Sequence, residues 1–270
     1  MTRKTIRSTI HMSKLLDMFT QARRAQGGSG MGFLGKNRTD IKPRAAALVV
    51  EFATADAASV EVALKAGADG LLFTWDGKDS AWLETLKDCI EAAKSNNDKA
   101  VCGLRITGGW DKLDRESIEQ LKDQGINYVV LPMNAPARLL ATHTKEIDLV
   151  VTVPMREGEM YPIFIRNLTA FDAINAVQLD FGLSSDIGSM TIEEILLYRA
   201  VREAVRFPAL LNVKANLSEA DAYTLITLGI QAIVLAADSS NEKTREQIKA
   251  LNELLVKVHQ EDKDKVTVLK

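Results

Sequence analysis

From residue 45 onward the chain alternates two hydrophobic patterns almost without interruption. Short, nearly continuous apolar runs fall at residues 46–52, 70–75, 100–106, 126–132, 147–154, 176–179, 209–213 and 230–236. Each is too short for a stable helix and is bounded by turn-forming residues, the pattern of a strand buried on both faces. Between them lie segments whose apolar residues recur at helical spacing: 56–66, 80–94, 115–123, a short one opened by Asn134 and Pro136, one near 161–171, then 191–205, 218–229 and 241–259. Their ends carry helix signals. Thr191 and Glu194 form a Thr-x-x-Glu capping box, and Gly67, Gly125 and Gly229 follow the last periodic residues of three helices.

A strand, a helix and a second strand build a parallel βαβ unit, and eight strand–helix units within residues 45–259 predict a closed (β/α)8 barrel. An open doubly wound sheet would usually carry a glycine-rich fingerprint after its first strand, and residues 52–56 (FATAD) hold none. Over residues 45–259 the chain resembles TIM-barrel proteins. Its residues 63–72 (ALKAGADGLL) resemble the helix-to-strand step of metabolite- and flavin-binding barrels, a packing signature that singles out no family. The expected organisation is a basic helix and glycine-rich hinge at 1–44, the barrel at 45–259 and a polar tail at 260–270.

Polar residues inside otherwise apolar strands need an explanation, and here they sit near the carboxyl ends, where barrel enzymes place their reactive groups. The period-2 rule puts Gln178 with Asp180, and Asn212 with Lys214, on one side of their strands; Glu51 and Arg105 follow on strands 1 and 3. Because the other side must pack against helices, all six are expected to point into the barrel. Strands 6 and 7 are neighbours in a sequential barrel, so Asp180 and Lys214 are expected within reach of each other. A lysine in a partly desolvated mouth suits imine formation or proton transfer, with Asp180 and Glu51 as its catalytic partners. Arg105, Gln178 and Asn212 would bind the substrate, Arg105 through its two-pronged geometry. The long loop at 181–190 carries Ser184 and Ser185 and is a candidate lid or phosphate gripper, and Ser218 at a helix start is a further anion contact. The reading is a barrel enzyme of lyase, aldolase or isomerase type acting on a small anionic or carbonyl-bearing metabolite. The alternative is a non-catalytic barrel used for ligand binding or assembly.

Composition changes this picture in only a few places. The net charge of −2 hides an asymmetry: residues 1–44 hold ten Lys/Arg and two Asp/Glu, the rest 24 against 34. Met12, Leu15, Leu16, Phe19 and Ala22 share one helical face in that basic arm. The helix at 12–26 therefore either plugs the barrel bottom or offers its apolar face to the acidic body of a second subunit or to lipid headgroups. A homo-oligomer is expected, and deletion of residues 1–44 is expected to leave a folded barrel. Residues 30–36 match part of a phosphate-binding P-loop, but Asn37 stands where Ser or Thr should hold magnesium, a helix precedes and no helix follows, so a hinge is the better reading. Cys89 and Cys102 give no disulfide framework and fit packed thiols in a reducing, cytoplasmic compartment. No motif demands a cofactor. His11, His143 and His259 lie away from strand ends, which argues against a zinc or iron site, while a magnesium ion on Glu51, Asp180 or Asp238 is left open. The acidic body argues against nucleic acid.

Overall fold

The computed structural model describes residues 13–24, 42–141, 146–183, 187–213 and 217–268. Eight parallel strands close into one barrel in sequential order: β1 (Ala47–Phe52), β2 (Gly70–Trp75), β3 (Val101–Ile106), β4 (Tyr128–Pro132), β5 (Asp148–Pro154), β6 (Ile174–Asp180), β7 (Ala209–Val213) and β8 (Ala232–Ala236). The helices are α1 (Lys14–Arg23), ahead of the barrel, and then α2 (Ala57–Ala66), α3 (Ser80–Asn96), α4 (Arg115–Asp123), α5 (Tyr161–Ile165), α6 (Ile192–Val205), α7 (Glu219–Thr227) and α8 (Asn241–Val268). Among the described residues the connection after β4 holds a 3-10 turn, Ala137–Ala141, and no α-helix. The predicted capping box of α6 is present, and Gly67 closes α2 at φ 105°, a left-handed conformation that favours glycine. The final helix does not stop at His259. It continues to Val268, so the segment expected as a polar, β-prone tail is helical.

Outward-facing strand residues and the helices form one large apolar layer. Inward-facing residues of the lower barrel form a second, separate one, and α1 belongs to it. Leu15, Met18, Phe19 and Ala22 are buried among Val49, Leu72, Tyr128 and Ala176, so the helix plugs the barrel bottom. Gly70 makes room for it: a Cβ there would lie 3.0 Å from Met18 Sδ. The basic charge of the arm also has a local use. Arg23 donates to the carbonyls of Ala45 (3.2 Å) and Ile230 (2.9 Å), and the Arg44 amide donates to Ala22 O (2.7 Å). Arg44 itself is buried and pairs with Asp69. Burial raises the Asp69 carboxyl above its ordinary value, against the pull of Arg44 and of the Leu48 amide. Of the two fates expected for this apolar face, the plug is the one found: the face is spent inside this chain's own barrel and not offered to lipid or a second subunit.

One device recurs at the bottom. Asp69, Asn127, Asn175 and Gln231 each accept a backbone hydrogen bond from the start of the preceding strand, from Leu48 (2.8 Å), Cys102 (2.9 Å), Leu149 (2.8 Å) and Ala209 (2.7 Å) respectively. The barrel therefore ties β1 to β2, β3 to β4, β5 to β6 and β7 to β8 by the same side-chain bond. These amides have no strand below them to pair with, and a buried unpaired N–H is costly. Asn127→Ala is expected to lower stability by about 1–2 kcal/mol, read as a lower urea midpoint with an unchanged slope. An unchanged midpoint would show that water replaces the bond.

Cys89 and Cys102 are both buried free thiols, and burial pushes the Cys102 thiol up to about 12 and raises that of Cys89. Both stay protonated and unreactive at neutral pH. Among the described residues no helix is long and apolar enough to cross a membrane.

Candidate active site at the carboxyl-end mouth

Above the apolar plug the inward positions turn polar. β1, β2, β3, β5 and β7 present Glu51, Thr74, Arg105, Thr152 and Asn212, all partly exposed, and β6 presents Gln178 and Asp180. Their outward neighbours Phe52, Phe73, Leu104, Val153, Leu179 and Val213 are buried. Alternation alone produces this division, since helices cover the outer face and only the inner face can be both polar and wet.

Glu51 and Arg105 form the strongest contact of the mouth. Arg105 Nε donates to Glu51 Oε1 at 2.7 Å and its Nη2 to Oε2 at 3.0 Å, with both side chains 18% exposed. This fork fixes both groups geometrically. Thr74 Oγ1 donates to Glu51 Oε1 at 3.4 Å and sits opposite Arg105 in the strand register. Across the barrel Gln178 Nε2 donates to Asn212 Oδ1. Gln178 is fully buried and its Oε1 has no hydrogen-bond partner among the described residues, an acceptor left unsatisfied at the floor of the mouth. Asp180, the last residue of β6, is exposed at the rim.

The floor is set by Tyr128. Its ring lies over Gly103, where a Cβ would come within 2.1 Å of Cζ, and its hydroxyl donates to Leu71 O at 3.4 Å. Burial raises its pKa far above the ordinary phenol value, so it is a neutral donor and not a base. At the rim the loops after β2 and β3 touch backbone to backbone: a Cβ on Gly77 or Gly109 would sit 2.1 Å from a carbonyl oxygen of the other loop. On the far side the Gly188 amide donates to Asp221 Oδ1, and the Ser218 amide donates to Asp221 Oδ2 at 2.7 Å. Burial opposes charge on Asp221, but the bonds from Ser218, Gly188 and Ile187 together hold its carboxyl below the ordinary value. This bridge anchors the end of the loop after β6 to the start of α7.

Five of the nine candidate site residues, Glu51, Arg105, Gln178, Asp180 and Asn212, lie where the sequence pattern placed them. Lys214, Ser184 and Ser185 fall outside the described residues, and with Lys214 goes the expected meeting with Asp180. Ser218 caps α7 at its start, its hydroxyl accepting from the Asp221 amide at 3.1 Å. Two of the three carboxylates left open for magnesium are separately engaged: Glu51 with Arg105, and Asp238 with the Ser240 amide (3.1 Å) and Lys243 (3.0 Å) in a rim turn. Among the described residues no group of three or more His, Cys, Asp or Glu side chains could hold a metal ion. Thr74 and Thr152 were missed as members of the ring. Each is a single polar residue at an inward position of an apolar strand, the signal that revealed Gln178, but threonine is common in strands and does not stand out.

No family model matches the chain, and no curated protein matches it. Solved structures do. Tryptophan synthase from M. tuberculosis aligns with TM-score 0.57 at 16% identity, covering 79% of this chain and 93% of that one. Phosphoribosyl anthranilate isomerase from Thermus thermophilus aligns with TM-score 0.55 at 15% identity, covering 78% and 98%. An HpcH/HpaI aldolase from Desulfitobacterium hafniense aligns with TM-score 0.50 at 15% identity, covering 77% and 94%. Identities this low establish the shared (β/α)8 fold and nothing finer.

Proposed function

We propose that this barrel acts on a small anionic or carbonyl-bearing metabolite at its carboxyl-end mouth, with lyase, aldolase or isomerase chemistry. The observation that carries the reading is the vertical division of the interior, a sealed apolar plug below and an accessible polar ring above. In this reading Arg105, fixed by Glu51, directs its remaining N–H groups at the anionic group of the ligand. Asn212 and Gln178 orient it, and a ligand hydroxyl or amine satisfies the unpartnered Gln178 Oε1. Lys214, two residues beyond the inward-facing Asn212, is the imine-forming or proton-transfer group, with Asp180 as its proton partner. Aldolases and an isomerase among proteins of the same fold support this chemical class by analogy.

A ligand-binding or assembly module without catalysis is the second reading, and one observation favours it: the Glu51 carboxylate is fully engaged by Arg105. Borohydride treatment in the presence of candidate aldehydes and 2-oxo acids, followed by peptide mass spectrometry, separates the two. The catalytic reading expects a reduced adduct on Lys214, abolished by Lys214→Ala. Ligand-dependent thermal stabilisation that survives Lys214→Ala without any adduct or turnover supports the second reading. Turnover unchanged in Lys214→Ala removes the role given to that lysine.

A further inference from the structure

The exposed large apolar residues of the described chain gather on one side of the helical ring. Met160, Ile163 and Phe164 lie at and within α5, Phe171 just after the 3-10 turn that follows it, and Ile192, Leu196 and Leu197 on α6. Both α5 and the turn pack against α6, so the seven belong to one neighbourhood. They are 44–81% exposed, and at the roughly 150–250 Å² of a large aromatic side chain, an upper measure for the aliphatic ones, they present about 600–1,000 Å² together. That exceeds the ~300–600 Å² of the largest apolar patch on a typical monomer. It matches the ~800 Å² that one partner contributes to a stable two-protein interface.

The charges around the patch say which partner fits. α6 carries Glu193 and Glu194 in its first turn and Arg199, Arg202 and Glu203 in its second half; Glu194 is engaged in the capping box and Arg202 with Gly229 O, so the charges set symmetrically about Leu196 are Glu193 and Arg199. Such a helix complements itself when a second copy runs antiparallel to it. We infer that the α5–α6 face is the dimer interface of this protein, with α6 packed against α6 of a second copy about a two-fold axis near Leu196. Leu196 then meets its own counterpart, Leu197 and Ile192 flank it, and Phe164 closes the apolar centre. By the symmetry of an isologous contact, Glu193 faces Arg199 of the partner subunit, and the pair occurs twice. Arg199 is half-exposed; its Nη1 donates to Thr227 O at 2.7 Å and its Nη2 pairs with Glu203 at 3.3 Å, which leaves three N–H groups able to donate to a second carboxylate. The interface lies on the outer face of the helical ring.

Sedimentation of the full chain over a range of concentrations tests this. The wild-type protein is expected to form dimers, and Leu196→Asp and Phe164→Asp are each expected to raise the dissociation constant by at least about tenfold, as loss of a central apolar anchor does. Glu193→Arg and Arg199→Glu should each weaken the dimer by setting like charges opposite one another. An equimolar mixture of these two variants should recover it, because both contacts in the mixed dimer are again Arg–Glu. A wild-type protein that stays monomeric at every concentration overturns the inference and leaves the patch to another kind of partner. A dimer indifferent to both aspartate variants overturns it as well. Failure of the mixture to recover overturns the antiparallel arrangement, and that test needs no change to the apolar residues.

Discussion

Removal of residues 1–24 is expected to abolish cooperative folding of the barrel, which reverses the expectation from the sequence that the barrel folds without residues 1–44. Leu15 is fully buried, and Met18 and Phe19 are each 5% exposed, all three inside the lower barrel. Full burial of a large apolar side chain stabilises by ~1.5–3 kcal/mol, so these three contribute roughly 5–9 kcal/mol. A domain's entire net stability is about 5–15 kcal/mol. Without the plug, Val49, Leu72 and Val150 would face water from below, and the ring of Arg23 bonds to Ala45 and Ile230 would be lost with it. The truncated chain should show a collapsed near-UV spectrum, dye binding to exposed apolar surface and a broad, shallow urea transition. Point variants grade the effect: Phe19→Ala should cost ~3–5 kcal/mol and Leu15→Ala ~2–5 kcal/mol. Leu16→Ala should cost much less, because Leu16 only flanks the cluster. A truncated protein with the full-length midpoint would show that the barrel is closed by its own residues alone.

The second large effect is expected at Gly103. An added methyl group there would lie 2.1–2.6 Å from three atoms of the Tyr128 ring. The ring is fully buried, with strands around it and the plug helix in the same cluster, so it has nowhere to retreat. Gly103→Ala should therefore cost about 3 kcal/mol, at the upper end for overpacking by one carbon. In a Tyr128→Leu background the added cost of Gly103→Ala should fall, since the smaller side chain leaves room for the methyl group. The difference between the two costs, measured by urea unfolding of the four proteins, is the coupling between the two positions. Equal costs in both backgrounds would place the strain elsewhere, in the β3 backbone itself.

The two effects explain how the site is supported. Gly103 lets Tyr128 cross the barrel, and Tyr128 with α1 fills the space beneath Glu51, Thr74 and Arg105. A polar layer of this kind is held rigidly only when the layer below it is packed.

Much of this was legible in the sequence because its physical causes are local. Strand and helix periods differ, 2 against 3.6, so eight alternations and their caps can be counted without knowing how they assemble. Helices and inner core claim opposite faces of each strand, so period 2 also placed Glu51, Arg105, Gln178, Asp180 and Asn212 inward. The fate of the N-terminal helix was a different kind of question. Its apolar face was plain from Leu15, Phe19 and Ala22, but an apolar face states only that something must cover it. What covers it, the chain's own barrel bottom with Gly70 making room and Arg23 and Arg44 bonding to edge carbonyls and to Asp69, depends on contacts between residues up to 207 positions apart. The same holds for the partners within the mouth. Alternation shows that Glu51 and Arg105 point inward, yet only the stagger of β1, β2 and β3 around the closed ring brings their side chains to 2.7 Å. Periodicity is written into each segment, whereas registry between segments is a property of the closed sheet, and it is registry that decides which charges meet.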